Sequence, residues 1–456
     1  MGLGIAFIGA GSIEFTRKLV ADLLTVPRFA DADIRLMDID RQNLELVRGL
    51  IERDLKANRR ENVLVRETLN QRDAVTGASY VLSVARIGGL DAFRHDVEIP
   101  LRYGVDQCVG DTLCAGGIMY GQRTIPFILD LCRDIREVAA PGAILLNYVN
   151  PMAMNTWAAN KYGGVRTVGL CHGVQHGHTQ IARALGLPKQ EVDIVCAGIN
   201  HQTWYVQVRH KGIDMTGSLL EAFERHPEYA RQEKVRIDML RRFGYFSTES
   251  NGHLSEYLPW YRKRHDEIEG WIDHSEWIHG ETGGYLRHCR ELRARFVSEY
   301  ESWKNGPPFS YEPARRSEEH GSYIIEGLET GRLYRGHFNM INNGCITNLP
   351  RDAVIEAPGY VDATGIWMPV LGDLPLGPAA VCSASISVQR LAVEAAVHGD
   401  DALLRQAMMM DPLVGAVCNP REIWRMVDEM LVAERQWLPQ YASAAADAQR
   451  RLNGPG

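Results

Sequence analysis

Cys171 and His201 are a pair of residues that could hold a transition-metal ion. A thiolate and an imidazole suit Mn, Fe, Co, Ni or Zn, and substrate oxygens can complete the coordination shell. His172 follows the cysteine directly, and an imidazole that titrates near neutral pH can serve as a general acid. One Cys and one His far apart in sequence are also common in hydrophobic cores, so other residues must support a metal site.

A glycine-rich turn near the N-terminus could bind a dinucleotide. Gly9 and Gly11 follow an apolar run, and Ser12 precedes a helical pattern. Such glycines let the backbone approach a pyrophosphate, which the helix N-terminus stabilises. Asp38 ends the second apolar run, where it would accept hydrogen bonds from the ribose and repel the extra phosphate of NADP. Although Glu14 stands in place of a third glycine, the combination predicts bound NAD.

Other polar side chains lie where the strands of a sheet should end, which is where ligands bind in open α/β sheets. Asp111, Asn147 and Asn150 are the candidates to contact a substrate. Arg86 is a further candidate, because a guanidinium group binds carboxylate, sulfonate or phosphate well. An Asn before Pro, as at position 150, is also a common turn former, so its role stays open.

The elements that must position these residues follow an alternating pattern. Apolar runs separated by helix-length segments occupy residues 3–8, 34–37, 80–85, 143–146 and 166–170. Strands that alternate with helices predict an α/β fold with a Rossmann-like, doubly wound parallel sheet. The N-terminal half resembles in this respect the lactate and malate dehydrogenases.

The pattern changes beyond about residue 190. Long charged helical stretches at 219–243 and 285–304, and a strand-like region at 333–356, predict an α+β domain. We therefore expect a Rossmann-like NAD-binding domain over residues 1–190. A C-terminal α+β domain over residues 191–456 should complete the substrate and metal site. The length of 456 residues agrees with two domains.

The amino-acid composition and net charge argue against nucleic-acid and membrane partners. The 50 Lys and Arg residues against 57 Asp and Glu residues give a net charge of −7, which lacks the basic character of a nucleic-acid-binding protein. No run reaches the roughly 18 apolar residues expected of a membrane span. The nine cysteines are scattered and form no CxxC pair, which fits reduced thiols. We expect a cytoplasmic protein with no nucleic-acid or membrane partner.

Short motifs along nearly the whole chain resemble those of one enzyme family. They are the GxGS turn at 9–12, the Asp-Thr and Gly-Gly-Ile segment at 111–118, Arg-Thr-Ile-Pro at 123–126, Asn-Tyr-Val-Asn-Pro-Met at 147–152, Cys-His-Gly-Val at 171–174, Ala-Gly-Ile-Asn-His at 197–201, and Asn-Asn-Gly with Thr-Asn-Leu-Pro at 342–344 and 347–350. With these motifs in the family's order, the chain resembles glycoside hydrolase family 4, nearest the melibiase-like α-galactosidases.

The resemblance implies a redox-neutral mechanism that differs from the two-carboxylate scheme of most glycosidases. NAD oxidises the sugar at C3, a tyrosine removes the C2 proton, the glycosidic oxygen leaves, and water adds at C1 before the hydride returns. A divalent metal, Mn²⁺ or another ion, stabilises the enediolate. Cys171 and His201 match the family's metal ligands, and His172 matches the proposed acid. Tyr257 matches the catalytic tyrosine, with Tyr245 as its rival.

The substrate is less well defined than the mechanism. The resemblance implies an α-galactoside and a homo-oligomer, a dimer or a tetramer. Melibiase-like members usually carry Ser where this chain has Gly173. The basic residues Arg262, Lys263 and Arg264, together with Arg86 and Arg94, keep open an anionic hexoside, a sulfoquinovoside or a uronide. An alternative of another class is a plain NAD-dependent dehydrogenase, which would release NADH with each turnover.

Overall fold

One sheet of 13 strands runs through the computed structural model, which describes residues 2–454. The strands are β1 (Gly4–Ile8), β2 (Asp33–Met37), β3 (Leu64–Thr68), β4 (Tyr80–Ser83), β5 (Ile144–Asn147), β6 (Thr167–Gly169), β7 (Val192–Ile199), β8 (Gln202–His210), β9 (Ile213–Asp214), β10 (Phe246–Ser247), β11 (Tyr334–Ile341), β12 (Val354–Asp362) and β13 (Gly365–Trp367).

Helices cover both faces of this sheet. They are α1 (Ile13–Leu24), α2 (Arg41–Ala57), α3 (Gln71–Val75), α4 (Gly89–Leu101), α5 (Cys114–Val138), α6 (Met152–Ala158), α7 (Gly173–Ala184), α8 (Leu219–Arg225), α9 (Tyr229–Gln232), α10 (Lys234–Phe243), α11 (Asn251–Tyr257), α12 (His265–Ile268), α13 (Gly284–Asn305), α14 (His320–Thr330), α15 (Leu376–His398), α16 (Asp401–Met410), α17 (Pro412–Val417), α18 (Pro420–Ala433) and α19 (Ala442–Asn453).

The N-terminal half is a parallel sheet in the order β3-β2-β1-β4-β5-β6. This is the strand order of dinucleotide-binding folds, so the predicted Rossmann-like sheet is confirmed. The five predicted strands are β1, β2, β4, β5 and β6. Strand β3 was not predicted, because it lies at the edge of the sheet and its residues are exposed or only partly buried. An edge strand of this kind lacks the continuous apolar run that marks a buried parallel strand.

The C-terminal half extends the same sheet with antiparallel strands. Strand β11 pairs with β6 through Asn339 and Gly169, and β12 pairs with β7 through Glu356 and Gly198. The predicted domain boundary near residue 190 falls just before β7, and it stays a prediction. The two halves share one sheet, so residues of the C-terminal half are held against the carboxyl ends of β5 and β6.

The predicted helical stretch at 219–243 is three helices, α8, α9 and α10. Pro227 explains the first break, because it follows the end of α8 by two residues and cannot continue a helix. The stretch predicted at 285–304 is the single helix α13.

Helix α15 is the one helix among residues 2–454 that is long and apolar enough, by length and composition, to cross a membrane. In the 18-residue stretch of this helix with the highest mean hydropathy, 50% is buried inside the protein. It packs against α5, α6 and α16 and contacts strand β7. These contacts are those of a core helix, which passes the same test of length and composition.

Candidate active site

The glycine turn lies between β1 and α1, as the sequence predicts. Gly9 has a φ of +90°, and a Cβ at this position would lie 2.5 Å from the backbone of Ala85. The Gly11 amide donates a 2.7 Å hydrogen bond to the Asp38 carboxylate at the end of β2. Ser12 is the N-cap residue of α1. The turn therefore brings backbone amides and Asp38 together, an arrangement that can receive a pyrophosphate and a ribose.

Cys171 and His201 come together at the carboxyl edge of the sheet. Cys171 follows β6, and His201 lies in the two-residue turn between β7 and β8 with a φ of +60°. A non-glycine residue rarely adopts this conformation, and such strain is often found at functional sites. Glu249 completes the group, since the three ligand atoms lie within 4.8 Å of one another.

The protonation of this group depends strongly on burial. Burial raises the pKa of the Cys171 thiol well above its usual range, and the nearby Glu249 carboxylate adds to this effect. Burial also acts to raise the pKa of Glu249, but His201 and His253 outweigh it and lower that pKa to about 2. The carboxylate is therefore charged at neutral pH. A bound divalent cation would turn the thiol into a thiolate, so the donor set fits a metal site.

Asp111 lies on the other side of His201. Thr112 donates a 2.8 Å hydrogen bond to the Asp111 carboxylate, and its hydroxyl lies 3.0 Å from Nδ1 of His201. Asn150 donates a 3.0 Å hydrogen bond to the other carboxylate oxygen. A guanidinium nitrogen of Arg86 lies 3.9 Å from the same oxygen. Three of the four predicted substrate residues, Asp111, Asn150 and Arg86, thus form one polar group beside the metal ligands.

Helix α11 brings Tyr257 and His253 to this group. Tyr257 is fully buried, and its hydroxyl has no hydrogen-bond partner among residues 2–454. The His253 ring lies 4.8 Å from the His201 ring and 6.2 Å from the Tyr257 ring, measured between centroids. Burial, together with His201, lowers the pKa of His253 to about 4. The imidazole is therefore neutral at physiological pH.

Glu256, next to Tyr257, fixes α11 against the Asp111 loop. Its carboxylate accepts hydrogen bonds from three consecutive backbone amides, those of Cys108 at 2.7 Å, Val109 at 2.9 Å and Gly110 at 3.0 Å. Burial raises the pKa of Glu256 to about 7, against the opposite effect of these amides. This contact sets the position of Tyr257 relative to Asp111.

His172, the predicted acid, lies at the N-terminus of α7 and is largely exposed. Its side chain is 67% exposed, and Nδ1 lies 3.7 Å from a carboxylate oxygen of Glu319. Lys18 contacts the same oxygen at 3.3 Å. An exposed imidazole next to a buried carboxylate can exchange a proton with a group that leaves toward solvent.

Asn147 and the basic residues that could bind an anion make other contacts in the structure. Asn147 is fully buried, and its amide bonds to the backbone of Val149 within the turn. Its predicted contact with substrate is not supported, because these bonds occupy it. The basic residues do not converge either: Arg262 is buried and paired with Asp106, whereas the exposed Arg264 pairs with Glu267.

Sequence reasoning missed Glu249, His253 and Thr112 as members of the site. Glu249 and His253 lie eight and four residues before Tyr257; His253 falls within the segment at 251–259 that carries the predicted tyrosine, and Glu249 lies just outside it. The one signal for Glu249 is Gly173, because a Cβ at that position would overlap the Glu249 carboxylate. Hydrogen bonds between Thr248 and Thr203 of β8 hold this segment beside His201.

The fold and the site together define a dinucleotide-binding enzyme with a thiolate and imidazole site at the carboxyl edge of its sheet. The chain belongs to the family 4 glycosyl hydrolases. The model of the family 4 glycosyl hydrolases matches residues 4–187, and that of their C-terminal domain matches residues 196–414. The family predicted from the sequence motifs is confirmed, and with it the class of glycoside hydrolase.

Individual relatives span nearly the whole chain. An α-galactosidase of Rhizobium meliloti (strain 1021) is 58% identical over 449 residues, which are 98% of this chain and 91% of that protein. An α-galactosidase of Bacillus subtilis (strain 168) is 33% identical over 450 residues, which are 96% and 99% of the two chains. A 6-phospho-α-glucosidase from gut microorganisms, solved in complex with NAD and glucose-6-phosphate, has a TM-score of 0.79 at 26% identity and covers 96% of this chain and 99% of its own.

Proposed function

We propose that this protein hydrolyses α-galactosides with NAD and a divalent metal ion as its cofactors. The observation that carries the proposal is the meeting of Cys171, His201 and Tyr257 at the edge of the sheet that also holds the glycine turn. The 58% identity to an α-galactosidase supports the choice of sugar. The solved relative that contains NAD supports the choice of dinucleotide.

The residues of the chain fit both cofactors. Gly9, Gly11 and Asp38 would hold NAD, and Cys171 and His201 would hold the metal. When bound, NAD supplies reversible hydride transfer at C3 of the sugar, and the metal supplies Lewis-acid stabilisation of charge on the sugar oxygens. Because the hydride would be returned to C3 and water would add at C1 within one cycle, the net reaction would be hydrolysis.

The remaining side chains handle protons and orientation. Tyr257, once its phenol is ionised, takes the proton from C2, since it is buried beside the proposed metal ligands. His172 gives a proton to the departing glycosidic oxygen, and its exposure suits a leaving group that exits to solvent. The Asp111 carboxylate accepts hydrogen bonds from sugar hydroxyls, and the Asn150 amide can donate to them or accept from them, with Arg86 beside Asp111.

A neutral sugar is favoured over a uronide or a sulfoquinovoside. Arg86 is the predicted anion-binding residue that reaches the site, and it faces the Asp111 carboxylate at 3.9 Å. Its guanidinium also lies over the rings of Phe93 and Tyr120. An anionic sugar would need a cation that is not already beside a carboxylate.

Turnover of nitrophenyl glycosides tests this proposal. With NAD, Mn²⁺ and a thiol reductant, we expect hydrolysis of the α-galactoside at a higher kcat/KM than of the α-glucuronide or the α-sulfoquinovoside. Removal of NAD should abolish turnover, and its return should restore turnover without net NADH absorbance. NADH that accumulates in step with product would indicate a plain dehydrogenase. A preference for the sulfoquinovoside or the glucuronide would replace the galactoside as substrate.

We also propose a cytoplasmic homo-oligomer, a dimer or a tetramer, without nucleic-acid or membrane partners. The nine cysteines, all free in the structure, support a reducing compartment. The net charge of −7 supports the absence of a nucleic-acid partner. Light scattering of the purified protein would give the oligomeric number.

A further inference from the structure

We propose that Glu249 is a third protein ligand of the divalent metal ion, beside Cys171 and His201. This inference rests on the metal dependence proposed above. It adds a ligand that the family motifs of the sequence do not include, and it assigns a role to Gly173.

The geometry places one carboxylate oxygen at the right distance from both other donors. Oε1 of Glu249 lies 3.6 Å from Sγ of Cys171 and 4.0 Å from Nε2 of His201. Ligands at about 2.0–2.3 Å from a tetrahedral divalent ion lie about 3.3–3.8 Å from one another. The three donor atoms can therefore surround one ion after small side-chain movements.

The carboxylate lacks the partners that a structural role would give it. Among residues 2–454, the Glu249 carboxylate accepts a side-chain hydrogen bond only from the Cys171 thiol. A buried carboxylate costs free energy unless a cation or several donors compensate its charge. A metal ion between Glu249, Cys171 and His201 would supply that compensation.

Gly173 makes the space that Glu249 occupies. A Cβ at position 173 would overlap Oε1 of Glu249 and would lie 2.6 Å from its carboxyl carbon. The backbone of Gly173 is not in the left-handed region, so the absence of a side chain serves space and not backbone freedom. Any other residue at this position would push the carboxylate away from Cys171 and His201.

A second group, Asp111 with His201 and His253, also has ligand atoms within 4.8 Å of one another. Both carboxylate oxygens of Asp111 and Nδ1 of His253 already have a hydrogen-bonding neighbour in the protein. Asp111 accepts hydrogen bonds from Thr112 and Asn150, and Nδ1 of His253 lies 2.7 Å from the Ser250 hydroxyl. This second group also lacks the thiolate, the donor that most distinguishes a transition-metal site from a Mg²⁺ or Ca²⁺ site. We therefore place the metal on the Glu249 side of His201.

Metal affinity measured without sugar tests the assignment. Titration of the NAD-loaded protein with Mn²⁺, followed by electron paramagnetic resonance, should show an affinity at least about tenfold lower for Glu249→Gln, because changes even beyond the first shell cost about 10–100-fold. Gly173→Ser should lower the affinity in the same way by displacing the carboxylate. Glu356→Gln is the matched control, a buried carboxyl near Glu249, and should bind Mn²⁺ as the unaltered protein does.

Two further measurements, NAD binding and the absorption spectrum of the Co²⁺-loaded protein, distinguish a variant that has lost a metal ligand from one that is unfolded. Glu249→Gln should keep NAD binding and, at saturating Co²⁺, the thiolate-to-cobalt absorption of Cys171, with altered d–d bands. Mn²⁺ affinity equal to that of the unaltered protein in Glu249→Gln would overturn the inference. A loss confined to His253→Gln would overturn it too, in favour of the Asp111 group. If the unaltered protein binds no metal, the proposed metal dependence falls as well.

Discussion

The Tyr257 phenol lies in a buried space beside Thr112 and the metal ligands. Burial raises its pKa well above 10, and the neighbouring Glu256 carboxylate raises it further. A phenol with such a pKa holds its proton near pH 7 unless a cation stabilises the phenolate. A metal ion held by Cys171, His201 and Glu249, as proposed above, would supply such a cation. The action of Tyr257 as a base therefore depends on a metal ion at the neighbouring site.

Tyr257→Phe should abolish the exchange of the C2 proton while NAD and Mn²⁺ still bind, because it removes the hydroxyl that we propose as the base. Hydrolysis of an α-galactoside in heavy water, followed by NMR of the product, measures deuterium at C2. Tyr245→Phe is the matched control, and most of the exchange should remain. Normal exchange in Tyr257→Phe, with loss in Tyr245→Phe, would transfer the role to Tyr245.

Strand β12 carries a buried carboxyl between two neighbouring strands. Glu356 lies opposite Asn339 of β11 and Gly198 of β7, and one of its oxygens has no hydrogen-bond partner among residues 2–454. Burial raises the pKa of Glu356 to about 8, and the nearby Glu249 carboxylate contributes. At neutral pH the folded protein therefore holds a proton that the unfolded chain has released.

Glu356→Gln should gain stability over the unaltered protein as the pH rises from about 4.5 to about 8. In the unaltered protein, Glu356 loses its proton near pH 4.5 in the unfolded state and near pH 8 in the folded state. The free energy of unfolding therefore falls by about 1.4 kcal/mol per pH unit between these two values. Gln does not titrate, so the substitution removes this slope. Urea unfolding at several pH values measures the difference.

The matched control is Glu249→Gln, a second buried carboxyl near the first. Glu249 has its folded pKa lowered to about 2, so it is ionised in both states over this window. Its replacement by Gln should therefore add no titration of its own in the upper part of this window, but it should narrow the window of Glu356, because it removes a charge that raises the Glu356 pKa. Parallel curves for Glu356→Gln and the unaltered protein would show that Glu356 is ionised in the folded state.

A buried ion-pair group links elements that lie far apart in the chain. Arg123 of α5 pairs with Asp96 of α4 through two hydrogen bonds of 2.9 Å and 2.6 Å, and also with Glu434, which follows α18. All three side chains are buried. The group joins the Rossmann half to the C-terminal helices, so both halves depend on one guanidinium.

Arg123→Met should lower the free energy of unfolding by about 3–5 kcal/mol, because it leaves two buried carboxyls without their cation. Arg133→Met on the same helix is the matched control. Arg133 pairs with Asp130 at 2.8 Å with both side chains exposed, and such pairs contribute about 0–1 kcal/mol. Equal losses in the two variants, measured by chemical denaturation, would contradict a joining role for Arg123.

The local features of the fold and the site can be predicted from neighbouring residues alone. The strand, glycine turn and helix around Gly9, the acid at Asp38, and the five buried parallel strands are each encoded by neighbouring residues, through apolar periodicity and turn chemistry. The donor chemistry of Cys171 and His201 is likewise a property of residue type. Strand β3 escaped prediction because an edge strand is only partly buried and leaves no apolar run.

Which distant residues share the site follows from strand pairing and packing and could not be predicted from the sequence. Glu249 reaches Cys171 across 78 positions of sequence because β10 pairs with β8, whose turn carries His201. Packing between distant segments also places Arg262 in a buried pair with Asp106. Residue types state what each side chain can do, whereas strand pairing and packing between elements far apart in the chain decide which side chains meet.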